Sequence, residues 1–540
     1  MTTDLTQYVT WDLGSWSADP GRADYASAAY QEMATRWQLV ADLRTGTPAI
    51  RAKCAYYLPR FEAETDKDYA ARVLMTFAGD QYAETLVEHV GLVFAVPPKA
   101  DDDVPAQILP LLEDVDGEGN HADVFAQTAF DSALHWGHAV LFTDYPVPRG
   151  VKTKADEARF QARPYVTLYG APDVLDARYV TVGGVRVLVE IKFREWTSVP
   201  GPAFGSAIEE RFRVVRQAVT TDEVTGQITG LGAVTWELYT KQGEVFQKSD
   251  EGEIVGPSRI CARVIYGGEK LGAMHSKPHL IGLAYSSIEE TQVKSDNAAV
   301  MHKTNLPTAV FIGRQKPPPG SAETIQMGQG IDVPIGGDAH FMEPTGAALG
   351  ATRTRLEDLR AQMRRQGAIS DETGTAKTAT EARLAAASRN AKLVKAARSL
   401  QDALEGMLAD IAAFLKLPSG GSVIVNRDFA GQGLDPAYLA VLVNAYNSEE
   451  RALPLDALLY ALKVGRLPED FAPEEEALRL VAEQMAKADQ AAADAEAKAE
   501  ADAKAATDAL ALALAQAGGA KPVPGAPKPG VVPPELKATT

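Results

Sequence analysis

The apolar positions of the N-terminal quarter fall at three- and four-residue steps. Tyr25, Ala29, Met33, Trp37, Val40 and Leu43 recur with the spacing of one helix face. Gly46-Thr47-Pro48 breaks this run, and two further helical stretches follow, YYLPRFEAETDKDYAARVLMTF and DQYAETLVEHVGLVFAVPP. Thr65 or Asp66 is placed to cap the helix that carries Tyr69, Arg72 and Val73. Pro97-Pro98 and the acidic run Asp101–Asp103 close the block. A helix is predicted over 121–138, leading into an apolar strand at AVLFTDYPV. From Pro164 to about Arg263 the period changes from helical to short β-rich runs (YVTLYG, RYVTV, VRVLVEIKF, RFRVV, VTWELYT, RICARVIYG) divided by Gly- and Asp-bearing turns, the signature of an antiparallel sheet.

The period changes again near Leu283. LAYSSIEETQVKSDNAAVMHKTNL, 283–306, reads as a helix stopped by Pro307; the strand TAVFIG, a Pro-rich corner at 317–320 and a second β-turn region follow. Helix returns at GAALGATRTRLEDLRAQMRRQGA, and Gly367–Thr375 reads as a loop that interrupts it. The next helix has two halves. Leu393, Ala397, Leu400, Leu404, Leu408, Ile411 and Leu415 form a stripe to bury, whereas Ala376–Lys392 offers only Leu384 as a large aliphatic among Ala, Thr, Ser, Arg and Lys. A strand-like SVIVNRDF follows, then three shorter helices between Asp435 and about Lys487, an Ala/Glu/Lys/Asp segment and a Pro/Gly-rich tail.

Charge sharpens this picture. The chain carries 54 Lys+Arg against 72 Asp+Glu, a net −18, yet residues 351–400 hold 11 basic and 5 acidic side chains. A net acidic surface opposes the wrapping of nucleic acid, though an acidic wall also repels a phosphate backbone and lets it slide. A solvated surface helix is the ordinary reading of the basic window, and a cavity- or channel-lining helix is the sharper one. At 540 residues, two to four domains are expected. Cys54 and Cys261, far apart in sequence, fit a reducing cytoplasm better than a disulfide framework or a zinc site. No signal peptide and no membrane span are expected.

The motifs of catalysis are missing. The sequence has no G-x-x-x-x-G-K-[ST] loop, no G-x-S-x-G elbow and no H-E-x-x-H pair. DVDGEG at 114–119 starts like a calcium loop, with Asp114, Asp116 and Glu118 in ligand positions, but Phe125 stands where the bidentate Glu belongs, so an acidic turn before a helix is the better reading. His135 and His138, with Asp131 a turn earlier, have metal-compatible spacing on the predicted helix, yet packing roles are favoured because no further ligand is evident. No catalytic residue, metal or cofactor is expected.

In order and in local motif, the chain resembles the portal proteins of tailed bacteriophages over roughly 25–490. YYLPRFEAETDKDYAARV, LVEHVGLVFAVPP, LLEDVDGEGNHADVF, HAVLFTDYPV and RPYVTLYGAPDVLDARYV are similar to one portal subgroup. The helix 283–306, GGDAHFMEPTGAALGATRTRLEDL and ETGTAKTATEAR resemble the descent into, and return from, a portal clip and the start of a tunnel helix. VIVNRDF and RALPLDALLYALKVGRLPEDFAPEEEALRLVAEQ resemble the end of a wing and a helical crown.

The resemblance implies an α+β, mainly helical subunit with an antiparallel β-rich wing at 1–282 and a stem helix at 283–306. A small β-containing clip at 307–345, a second stem helix at 346–366, and a tunnel loop, long helix and return to the wing at 367–430 follow. A crown at 431–490 and an Ala-rich extension with a disordered tail at 491–540 complete it. It further implies a ring of twelve copies at the capsid vertex of the virion, assembled in the bacterial cytoplasm and passing double-stranded DNA. Its partners would be the large terminase subunit, a neck/tail adaptor, and the major capsid and scaffolding proteins. Thr373, Gly374, Thr375 and Lys377, with Arg364, Arg365 and Arg383, would face the DNA; Arg314, Gln315 and Lys316 would dock partners on the clip. A capsid adaptor or scaffold-like protein without a channel, and an enzyme with an unfamiliar site, are the alternatives. The adaptor leaves the helix–β insert–helix order unexplained.

Overall fold

A computed structural model describes residues 14 and 16–427 apart from 63, 146–161, 202–204, 223–227, 244, 305–309, 313–330, 334, 337–346 and 368–378; Phe429, Lys504 and Thr507 are also described. The chain divides into two compact units, Met1–Ala430 and Gly431–Thr540. The first is a mixed α+β unit with antiparallel sheets.

It opens with α1 (Ala28–Thr45), the short turns α2 (Thr47–Ala52) and α3 (Cys54–Tyr57), then α4 (Asp66–Met75) and α5 (Gln81–Val93). Thr65 caps α4, its hydroxyl accepting from the Asp68 N–H at 3.2 Å. In α1 the buried face is Tyr30, Met33, Trp37, Val40 and Leu43. Tyr25 and Ala29, expected on that face, are only half-buried: Tyr25 precedes the helix, in a β-bridge with Ser17, and Ala29 lies in its first turn.

After β1 (Lys99–Ala100) and α6 (Leu109–Leu112), α7 (Ala122–Trp136) runs into β2 (His138–Asp144). Strand β2 is central, pairing antiparallel with both β3 (Tyr165–Gly170) and β9 (Ala262–Tyr266). All seven of its residues are buried. Ala139 and Leu141 enter the main helical core, while Val140 and Phe142 enter a second core shared with Ile191, Phe193 and Val215. The centre of a strand buried on both faces favours a continuous apolar run, which is why AVLF carries no polar alternation, while the polar His138, Thr143 and Asp144 stand at its ends.

The second core separates this sheet from the meander β4 (Val174–Val182), β5 (Val185–Pro200), β6 (Ser206–Thr221), β7 (Ile228–Gln242) and β8 (Val245–Ile254), paired in that order. Strand β8 escapes the sequence reading because VFQKSDEGEI lies at the edge of the sheet, where one side of the ladder is open and polar side chains are tolerated. The small pair β10 (Lys270–Gly272) and β11 (His275–Ser276) then leads into α8 (Ile281–Thr304).

Strands β12 (Val310–Ile312) and β13 (Ile331–Val333) pair in parallel. Helix α9 (Ala347–Arg365) and the long α10 (Ala379–Leu415) follow, and β14 (Val423–Ile424) closes the unit by pairing antiparallel with β1. The leucine stripe of α10 follows its spacing up to the last turn: Leu393, Ala397, Leu400, Leu404, Leu408 and Ile411 are buried, joined by Ala396, Ala403, Met407 and Ala412 in a second row, and Leu415 is half-buried at the helix end. No helix among the described residues is long and apolar enough to cross a membrane.

Candidate functional site

The feature that distinguishes this unit from a generic α+β body is the pair α8 and α9. Contacts run in opposite order along the two helices: Ser286 meets Gln362 and Gln366, Glu290 meets Arg360, and Glu289 meets Arg355. The helices are therefore antiparallel. Their joint is polar, and so is the seat of α8 on the N-terminal block. Ser286, Ser287, Glu290, Thr291 and Ser295 of α8 are all buried.

Burial of so many polar groups is tolerable only if each finds a partner. Ser287 and Thr291 donate back to the carbonyls of Leu283 and Ser287, at 2.9 and 2.8 Å. The Thr76 hydroxyl donates to Ser295 Oγ at 2.7 Å, and Gln292 Nε2 to the Tyr57 carbonyl at 2.8 Å. Glu290 accepts from Lys294 Nζ at 2.9 Å and Arg360 Nε at 3.4 Å. Beside this joint Arg72, itself buried, forks onto Glu64 with both bonds at 2.9 Å and lies 3.6 Å from Asp296. The hydrogen-bonded guanidinium holds the Glu64 carboxyl below the usual carboxylate range. Directional polar contacts set the register of two helices more narrowly than interchangeable apolar packing would, so α8 and α9 form a stiff unit.

Helix α10 is fastened differently. Its C-terminal half lies on β9 and β2 and is pinned by a charge pair: buried Asp410 accepts from Arg263 Nε at 2.6 Å and Nη2 at 2.5 Å, with Arg259 3.5 Å away. Gly406 lets Arg263 lie flat on the helix, since a Cβ there would approach Arg263 Cδ to 2.8 Å. The Tyr266 N–H donates to Ser399 Oγ at 2.8 Å.

Of the residues expected to face DNA, Arg364 and Arg365 are exposed on the last turn of α9, with Arg365 Nε donating to the Ala361 carbonyl at 3.3 Å. Arg383 falls within α10, one turn past its start. Thr373, Gly374, Thr375 and Lys377, and the clip residues Arg314, Gln315 and Lys316, lie outside the described residues. Sequence reasoning missed Lys392, Lys395 and Arg398, three exposed cations on α10. Their signal was present in the charge of the 351–400 window, but the leucine stripe drew attention to the opposite face.

Two other candidates resolve into structural roles. Asp114 accepts from the N–H groups of Gly117 and Gly119 and pairs with Arg163; Asp116 accepts from the Glu118 N–H and from Asn120 Nδ2. The carboxylates of Asp114 and Asp116 thus brace the turn and tie it to Arg163. His135 and His138, expected on one helix, stand on different elements, because α7 ends at Trp136 and Gly137, at φ +98°, turns the chain into β2. Their Nδ1 atoms lie 3.0 Å from Tyr82 Oη and 2.9 Å from Ser276 Oγ. Burial, with Arg44 near the first and His275 near the second, pushes both down to about 3, so each is neutral at physiological pH. Asp131 is paired with Arg44 at 2.8 Å.

The family comparison lands on the segment just described. Residues 279–415 match the model of a domain of unknown function, DUF4055. The match begins two residues before α8 and ends on the last residue of α10. No curated protein matches the chain. The family unit therefore corresponds to antiparallel α8 and α9, the β-containing segment between them, and the long helix that follows.

Proposed function

We propose that this chain is a phage portal subunit: it forms a ring at the unique capsid vertex, passes double-stranded DNA during packaging and ejection, and catalyses nothing itself. One observation carries the reading. Two antiparallel helices, stiffened by buried polar contacts, bracket a segment with its own strands and precede a long helix whose C-terminal half is buried in the core. That order suits a subunit whose helix pair lines a passage while the sheet-bearing body packs sideways against its neighbours. Closed rings of identical subunits are built by such head-to-tail contacts. The net −18 of the chain supports loose handling of DNA, because firm phosphate contacts at every step would resist translocation. On this reading the large terminase subunit and a neck/tail adaptor dock on the segment between α8 and α9, and Lys377 faces the DNA.

Mass photometry of the purified 57.7 kDa chain, with negative-stain images of the same sample, tests the proposal. The expected particle has about twelve subunits, about 690 kDa, and a central hole. A chain that stays monomeric with capsid and scaffolding proteins present overturns the conduit and leaves a capsid adaptor in its place. For the loop, Lys377→Glu is expected to shorten the packaged genome; unchanged packaging removes that residue from the channel.

A further inference from the structure

Helix α8 stands between two neighbours. Its Gln292, Ser295 and Asp296 turn towards Tyr57, Thr76 and Arg72 of the N-terminal block, whereas Ser286, Glu289 and Glu290 turn towards α9. To either side, this layer of helices carries a feature that the fold itself leaves open.

On the first side, α4 buries Arg72 and Val73 and turns Lys67, Ala70, Ala71 and Leu74 outwards. Leu74 is 50% exposed, and Phe77, just past the helix, is 67% exposed. Arg51 fixes their position. Its Nε donates to the Thr76 carbonyl at 3.0 Å and its Nη2 to the Leu74 carbonyl at 2.7 Å, and its guanidinium lies 4.6 Å above the centre of the Phe77 ring. Both bonds go to backbone acceptors, so the charge of Arg51 meets no carboxylate among the described residues. The result is an apolar knob with a cation resting on it.

On the second side, a groove of about 370 Å³ runs between α8 and α9, walled by Val293 and Val300 on one helix and Ala351 on the other. Arg355 and Asp296 also line it. Arg355 is paired with Glu289. Asp296 is left short: Arg72, 3.6 Å away, gives both of its 2.9 Å bonds to Glu64. The Asp296 carboxyl titrates above its ordinary range, first because it is partly buried and also because Glu64 is close.

Knob and groove are complementary in polarity and in charge. One offers exposed apolar side chains with an unmatched cation, the other an apolar cleft with an under-compensated carboxylate. A patch and a pocket at different places on one molecule join copies head to tail, and such contacts close into rings or run on as filaments. We propose that Phe77 and Leu74 of one copy seat in the α8–α9 groove of a second copy, with Arg51 of the first facing Asp296 of the second. This interface deepens the portal reading and rests on it for the closure of the ring.

Two variants of the full chain test it. Phe77→Asp removes the knob and keeps the groove; Val300→Trp fills the groove and keeps the knob. Both positions are exposed, so no core side chain is lost, and thermal midpoints within about 2 °C of wild type confirm folding. Sedimentation velocity at micromolar concentration reads each variant alone and an equimolar mixture. Wild type is expected to assemble, and each variant alone to stay monomeric, its association weakened about a hundredfold. The mixture is expected to give a dimer of about 115 kDa and nothing larger, because one intact knob and one intact groove remain to pair. Arg51→Gln, a milder change, is expected to weaken assembly about tenfold and to lessen its salt dependence.

Rings that persist in either variant overturn the interface and leave the portal reading standing. Wild-type assemblies that grow as open filaments, and that either variant abolishes, keep the interface and overturn the portal ring. A mixture of folded variants that stays monomeric overturns the pairing of knob and groove, whatever the wild type forms.

Discussion

Replacing Asp410 with asparagine removes the charge that fastens the buried half of α10 to β9 while keeping the size of the side chain. Asp410 is 1% exposed, and both of its short bonds come from Arg263, whose side chain retains 23% of its exposure. Removing one partner of a buried ion pair costs about 3–5 kcal/mol, because the other charge stays desolvated without its counter-ion. Water still reaches part of Arg263, so the lower end applies, about 3 kcal/mol. That corresponds to about a hundredfold increase in the opening constant of the amides involved. Hydrogen exchange measured across residues 400–415 and 262–266 reads this directly. Asp402→Asn, an exposed position on the same helix, is the control and should change exchange little. The double variant Asp410→Asn/Arg263→Gln should recover at least half of the loss, since the one cation left beside the site, Arg259, is half exposed and stays hydrated. An increase below tenfold in Asp410→Asn, or a double variant as damaged as the single one, would refute the reasoning.

Acid should weaken the fold through three histidines. His135, His138 and His279 are pushed down to about 3, chiefly by burial, so they are neutral when folded and protonate in the unfolded chain below about 6.5. The unfolded state then binds more protons, and stability falls as pH drops from about 6.5 towards 3, by about 2 kcal/mol per histidine at pH 5. Asp173 works the other way: burial raises its carboxyl to about 6, so its penalty is relieved between about 6 and 3.8 and offsets about 1 kcal/mol at pH 5. Denaturant midpoints at pH 7.5 and 5 should therefore show a net loss, and equal midpoints would contradict the assignment of neutral imidazoles. Gly137→Ala should cost about 2 kcal/mol or more, because the position holds φ +98° and a Cβ would stand 2.6 Å from the Lys277 carbonyl. Gly117→Ala, at φ +82° in open space, should cost about half as much, and equal midpoint shifts for the two would place the whole effect in the backbone angle.

Periodicity alone located the longer helices of the first unit, though not the start of α1 or the end of α7, and showed that a strand follows α7 and that an antiparallel sheet occupies the middle of the chain. These are local properties: residues three, four or two apart share a face whatever else the chain does. The leucine stripe of α10 is the plainest case, with Leu393, Leu400 and Leu408 buried as their spacing requires. The order of helix, β-containing segment, helix and long helix was legible too, and α8, α9 and α10 express that order in space.

Tertiary structure decided what local spacing cannot carry. The burial of Ser286, Glu290 and Ser295 depends on partners seventy or more residues away in α9 and in the N-terminal block, so their polarity alone reads as a solvated face. His135 and His138 share a helical spacing, but one glycine with positive φ puts them on separate elements. Strand β8 has no apolar alternation and is held by its pairing with β7. Lys277 lies more than a hundred residues from Lys392 and Lys395 in the chain, and the three line one cavity only because α8 starts beside α10. A sequence records which side chains a segment must bury; which charges then face each other is set by how the segments pack.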